Sequence, residues 1–360
     1  MGLDMNKKNL TNLLITALVI LLFSFSPLLS TASASSNAIP SLYPGQSGPI
    51  HQAGLGGGIS HKNIDCTVKP WCIYLTSLVT DDILIVKGGL SYAGEISVSS
   101  ITIGAADDPS NGMVYVGGYG CECVIVINAK TEVVTTTISI SSYGPASAVV
   151  YSTLSKMIYV ATFSDPGYYV AIDPSTNKVV KAISACGYYA EFGDQLNKGD
   201  VYFANRETSS GYGCVDAINP TTNKIVASVS LTDDYAVGVA ANSANKEVYV
   251  TGYECGCVYV YTSALKTVTT LNIGELVWGI FSNYQLQTVF VPSYYSSYGV
   301  FPIFKNDTVG KEIALPSGAN SGCGFRNLVE VPGSELYVIK NWELFKTIDV
   351  TGFSCAGTHI

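Results

Sequence analysis

Charge is scarce in this chain. Only 13% of its 360 residues are Asp, Glu, Lys or Arg, and it has just three histidines. His51, His61 and His359 sit before the repeated part of the chain or at its ends. A Ser-His-Asp hydrolase is difficult to build from that supply. Basic residues number 19 against 27 acidic, a net charge of -8. That balance disfavours nucleic acid and anionic membrane surfaces as partners. Helical periodicity is missing, and no apolar run beyond residue 29 reaches membrane-spanning length. The surface must therefore be covered by Ser, Thr, Asn, Gly and the 24 tyrosines rather than by ion pairs.

The N-terminus sets the expected compartment. Lys7 and Lys8 precede an apolar run from Leu13 to Leu29, and Thr31-Ala32-Ser33-Ala34 follows. Charge, apolar run and small residues in that order are expected of a secretory signal peptide over residues 1–34. The alternative is an uncleaved membrane anchor, since the run is about long enough to span a bilayer. Residues 35–60 carry no Lys, Arg, Asp or Glu and are rich in Ser, Gly, Pro and Ala. Such a segment buries too little apolar area to offset its ordering entropy and reads as a flexible leader. Residues 61–360 remain for one large β domain.

That domain repeats. CIYLT, MVYVG, MIYVA, DVYFA, EVYVT, TVFVP and ELYVI are short β-rich runs centred on Tyr74, Tyr115, Tyr159, Tyr202, Tyr249, Phe290 and Tyr337. After each comes a Gly/Tyr/Ser-rich turn, an alternating strand, a polar turn and another strand. The clearest polar turns begin at Asp173-Pro174 and Asn219-Pro220. Proline presets φ there, and the Asx side chain bonds backbone two residues on. Small apolar segments lie between units: ASAVVYS, AVGVAANS and VWGIFSN. They suit an innermost strand where sheets crowd around an axis. Seven units of four short strands predict an all-β, seven-bladed propeller of antiparallel blades. The short last unit predicts closure by mixing the chain ends. Either GFSCAGTHI joins the first sheet or NIDCTV completes the last.

Tyr159-Val160-Ala161-Thr162, Ala171-Ile172-Asp173 and Thr176-Asn177-Lys178-Val179-Val180 carry a family likeness. Over residues 72–351 the pattern resembles the YVTN-family β-propeller repeat. The resemblance implies the fold; members have varied roles, so it implies no particular activity.

Repeat register places two kinds of connection on one face: the turn after the second strand, and the link from outermost strand to next innermost strand. Cys121, Cys123, Cys214, Cys255 and Cys257 border the first kind; Cys186, Cys323 and Cys355 lie in the second. With Cys66 and Cys72 they make ten, an even number that reads as disulfides in an exported chain. Cys186 with Cys214 is the best single pair, and Cys66 or Cys72 with Cys355 would tie the ends. Cys121-Glu122-Cys123 and Cys255-Gly256-Cys257 fall at equivalent places in two units. Each is read as a loop staple, with a thiolate metal or redox site as the alternative.

Tyr119, Tyr168, Tyr212, Tyr253, Tyr294, Tyr295 and Tyr298 are expected to line the same face. Tyrosine beside Ser and Gly offers rigid apolar faces with a polar tip. The expected partner is a glycan, peptide or surface protein. Asp81-Asp82, Asp107-Asp108 and Asp233-Asp234 are expected to be solvated turn residues, and Asn306-Asp307-Thr308 is a glycosylation sequon at Asn306. No catalytic residue, metal or cofactor is assigned. The expected role is a non-enzymatic extracytoplasmic binding or scaffold module. The alternatives are a lactonase-like, metal-dependent hydrolase and a thiol-based redox or metal-binding protein. The hydrolase needs carboxylates, Asn or His on the innermost strands, where the sequence reads as almost lacking them.

Overall fold

β-branched and aromatic residues dominate the second and third strands of most blades, as in Met113–Gly118 and Cys123–Asn128. The computed structural model describes residues 72–77, 80–87, 91–232, 234–274, 276–277, 279–293, 299–316, 323–325, 328–332, 336–348 and 354–359. The expected signal peptide and leader lie outside them, as do Cys66, His51, His61, Tyr294, Tyr295 and Tyr298. No described helix is long and apolar enough to cross a membrane.

The strands form four-stranded antiparallel sheets, as expected of a propeller. Six are blades of consecutive strands: blade 1 (102–139), blade 2 (146–184), blade 3 (188–230), blade 4 (236–272), blade 5 (281–314) and blade 6 (323–348). The expectation of seven blades in a closed ring is thereby corrected: six blades are built from continuous chain, and no closed ring is formed among the described residues. The remaining sheet is composite: Ser354–His359 pairs with Cys72–Thr76, followed by Asp82–Lys87 and Ser91–Ser97. The C-terminal segment, not the N-terminal one, supplies that extra strand. It also lies against Thr102–Asp108 of blade 1 and Cys323–Phe325 of blade 6.

Burial is lowest at the outer strands. The innermost strands Ala146–Tyr151 and Ala236–Asn242 are buried throughout. Small residues matter there because neighbouring inner strands nearly touch. A Cβ on Gly238 would sit 3.1 Å from Ile280 N of the next blade. Second strands are the most deeply enclosed, with Tyr74, Tyr115, Tyr159, Tyr202, Tyr249, Phe290 and Tyr337 fully buried. Outer strands such as Lys224–Ser230 alternate between exposed and half-buried. The pairing of third with outer strand slips at the same relative place in blades 1 to 4. A bulge there increases the twist that lets one sheet stack on the next.

The repeated aromatic also links blade to blade. Tyr115 Oη donates to Asn177 Oδ1 in the next blade's polar turn (3.2 Å), and Tyr159 Oη to Pro220 O (3.1 Å) and Asn223 Oδ1 in the blade after that. Tyr202 Oη donates to Ser263 O (2.8 Å), and Tyr249 Oη to Asp307 Oδ1 (2.6 Å). Where Phe290 lacks a hydroxyl, its ring stacks instead on Trp342 of the next blade, with centroids 6.0 Å apart. These turns place Glu132, Asn177, Asn223, Leu265, Asp307 and Trp342 in the left-handed region. Asn and Asp tolerate that conformation best.

Candidate functional site

Backbone hydrogen bonds join the two expected kinds of connection on one face. Tyr119 N donates to Ile101 O (2.8 Å), Phe163 N to Pro145 O (2.8 Å) and Tyr253 N to Tyr235 O (3.2 Å). In return Ile140 N reaches Glu122 O (2.9 Å) and Leu231 N reaches Gly213 O (2.8 Å). Each turn is thus buttressed by the link beside it.

Three disulfides lie on this face: Cys121–Cys123, Cys186–Cys214 and Cys255–Cys257. Cys72 is also disulfide-bonded, and no described cysteine is free. Cys323 lies in Cys323–Phe325 and Cys355 in Ser354–His359. The bridges differ in kind. Cys186–Cys214 spans 28 positions, whereas the other two span 2. Chain entropy then gives the long loop about 3.5 kcal/mol and each short one about 1.5 kcal/mol. In both short bridges the first cysteine is exposed and the second buried.

Two buried carboxylates sit under this layer. Asp216 accepts from Tyr169 Oη (2.9 Å), Cys186 N (2.7 Å) and Ser228 Oγ. Burial pushes its carboxyl above the usual range, and the three donors oppose that. Asp234, only 1% exposed, accepts from Tyr235 N (2.8 Å), Glu254 N (2.7 Å) and Tyr259 Oη (3.2 Å). Neither is the solvated turn acid expected of this chain, and Asp234 corrects that expectation directly. Asp108 corrects it too: it is 1% exposed at the end of Thr102–Asp108, where it accepts from Ser110 N (2.9 Å) and Ser110 Oγ (2.6 Å).

Aromatic side chains run across the face. Tyr119 of blade 1 meets Phe163 of blade 2 edge-on (5.8 Å), and Phe163 meets Tyr189 of blade 3 (4.8 Å). Tyr188 adjoins Tyr189 (6.0 Å), and Tyr143 packs on Tyr168 (5.7 Å). Tyr189 has φ +55°, a strained conformation for a bulky residue and one that concentrates at functional sites. Burial raises its hydroxyl pKa, followed by the charges of Asp165 and Glu207. Of the tyrosines singled out by sequence, Tyr119 joins this run and Tyr168 flanks it. Tyr212 is 37% exposed and Tyr253 is half-buried. Phe163, Tyr143, Tyr188 and Tyr189 escaped the sequence reading because Tyr143 lies in a link, Tyr188 and Tyr189 open an inner strand, and Phe163 is not a tyrosine.

On the innermost strands the scarcity of acids is also corrected. Asp194, in Tyr188–Gln195, accepts from Ala241 N (2.9 Å), Ser282 Oγ (2.8 Å) and Tyr284 Oη (2.7 Å). It ties blades 3, 4 and 5 together. Asn306 is exposed in a polar turn of the opposite face. Among the described residues the only cluster of three His, Cys, Asp or Glu groups close enough to share a metal is Asp234, Cys255 and Cys257.

No family model matches this chain, and no curated protein matches it. Solved structures do. Hydrazine synthase of Kuenenia stuttgartiensis is similar with a TM-score of 0.65 at 13% identity, over 73% of this chain and 90% of that one. At that identity the likeness shows the propeller fold alone. Since 1605 solved chains are similar, the architecture is widespread and carries no single activity.

Proposed function

We propose that this chain is an extracytoplasmic binding propeller whose disulfide-bearing face recognises a glycan or peptide on a neighbouring surface. One observation carries the reading: the run Tyr119–Phe163–Tyr189–Tyr188 crosses three blades as a continuous aromatic surface. Half-buried rings present fixed apolar area at low entropic cost, and Asp165 and Glu207 beside Tyr189 add hydrogen-bond acceptors. Disulfides fit the oxidising compartment that the expected signal peptide implies. The chain would then be a YVTN-like repeat protein with glycosylation at Asn306. A hydrolytic role is disfavoured because Asp194 spends its carboxylate on three structural donors outside its own blade strand.

Glycan and peptide arrays probed with wild type and with Phe163→Ser/Tyr189→Ser test this. The wild type should bind a defined subset of spots. The double variant should lose at least about tenfold in affinity, as truncating two central aromatics costs, with its unfolding midpoint little changed. Equal binding by both proteins would remove the aromatic run from recognition.

A further inference from the structure

The two short disulfides occupy equivalent turns but stand on different ground. In blade 1, Cys121 N donates to Ser100 Oγ (3.1 Å), and in blade 4, Cys255 N donates to Asp234 Oδ2 (3.4 Å). Each donor lies 21 residues beyond its acceptor. Both first cysteines reach the carbonyl of the glycine three residues before them, Gly118 and Gly252, at 3.7 Å. A neutral hydroxyl in one blade is thus replaced by a carboxylate in the other.

We propose that reduction of Cys255–Cys257 converts this turn into a cation site, with both thiolates and the Asp234 carboxylate as ligands for a thiophilic divalent ion such as Zn²⁺ or Cd²⁺. The ligand atoms of Asp234, Cys255 and Cys257 all lie within 4.8 Å of one another. A tetrahedral ion with bonds of about 2.3 Å to sulfur and about 2.1 Å to oxygen holds its ligands under about 4 Å apart. The Cα separation of 5.1 Å already suits that span.

The carboxylate is held for the task. Tyr235 N and Glu254 N both donate to Oδ1, which leaves Oδ2 turned toward the sulfurs and in reach of Tyr259 Oη (3.2 Å). Such outer hydrogen bonds orient a ligating group. Space is kept by Gly252, where an added Cβ would overlap Asp234 Oδ2 and lie 2.7 Å from Cys255 Sγ. Exposure of Cys255 leaves a side for a fourth ligand from solvent. It also admits the reductant.

Two equivalents of a small thiol RSH cleave the S–S bond, giving RS–SR and two cysteine thiols. The cation then displaces the two thiol protons into solvent. Thiolates select soft and borderline ions over Mg²⁺ or Ca²⁺. Blade 1 carries the same cysteines without the anionic third ligand, so it serves as an internal control. The inference is independent of what the aromatic run binds.

The test uses the full chain reduced with a phosphine, which competes little for metal, and titrated with Cd²⁺ while thiolate-to-metal absorption is followed. Wild type should take up Cd²⁺ only after reduction. Cys121→Ser/Cys123→Ser should retain the tight site and Cys255→Ser/Cys257→Ser should lose it. Asp234→Ser, which copies blade 1, should bind about 10- to 100-fold more weakly. Asp234→Asn, which retains a side-chain acceptor for the backbone donors, provides the same comparison if the serine variant does not fold. No uptake by the reduced wild type would overturn the proposal. So would equal affinity in Asp234→Asn, or loss of the tight site with the blade 1 cysteines.

Discussion

The two faces of this propeller are held in different ways. On the face of the polar turns, one device recurs from blade to blade. A buried tyrosine hydroxyl reaches the next blade's turn at Asn177, Asn223, Ser263 and Asp307. On the opposite face the backbone pairing of turn with link recurs, but no side-chain device does so unchanged. There is a long disulfide over Asp216, a short one over Asp234, another over Ser100, and an aromatic run over blades 1 to 3. A repeat that is copied faithfully does the stacking common to all blades. The proposed function assigns recognition to the face where copies diverge, since each blade there presents different chemistry.

The largest test of that contrast is Asp216→Ala. It strands Tyr169 Oη, Cys186 N and Ser228 Oγ in a buried site. Orphaning a hydrogen-bonded buried cluster costs about 3–5 kcal/mol, read as a fall in stability by denaturant unfolding. A cost near zero would mean that the divergent face is not held by its carboxylates.

Tyr159→Phe is the matching test on the repeated face. It removes one hydroxyl linking blade 2 to blade 3 and should cost about 1–2 kcal/mol. Tyr115→Phe should behave alike if the staple is truly shared. A large difference between the two would break the equivalence.

The smallest effect is expected at Glu132, where the repeated device fails. Tyr74 Oη is buried with no hydrogen-bond partner among the described residues, and Glu132 stands where blades 2, 3 and 5 place Asn177, Asn223 and Asp307. Burial pushes the Glu132 carboxyl from 4.5 to about 7, opposed by Lys87. Between those values the unfolded chain releases a proton that the fold retains. Stability should therefore fall as pH rises from about 4.5 to about 7, by about 1 kcal/mol once solvent screening is allowed for. Glu132→Asn should abolish that slope and add about 1 kcal/mol at pH 8. Urea midpoints at pH 5 and pH 8 measure both.

Much of this fold was legible because repetition is itself a signal. Tyr159-Val160 and Asp173-Pro174 recur with a period, and a four-stranded sheet cannot bury its faces alone. Cys186 and Cys214 could be paired because both fall at one end of a unit, and they are bridged. The candidate site was less legible. Phe163 and Tyr189 lie in different units, and nothing local marks them as neighbours. Asp194 was passed over because its strand, Tyr188–Gln195, departs from the small-residue pattern of the other inner strands.

Alternating apolar residues, Asx turns and small inner segments determine the blade locally, since each acts over a few residues. Tertiary structure alone decided what stacking brings together: Tyr159 with Asn223, and Asp194 with Tyr284. Those pairs are set by how sheets twist and pack around an axis, and that geometry belongs to the assembled sheets rather than to any one unit.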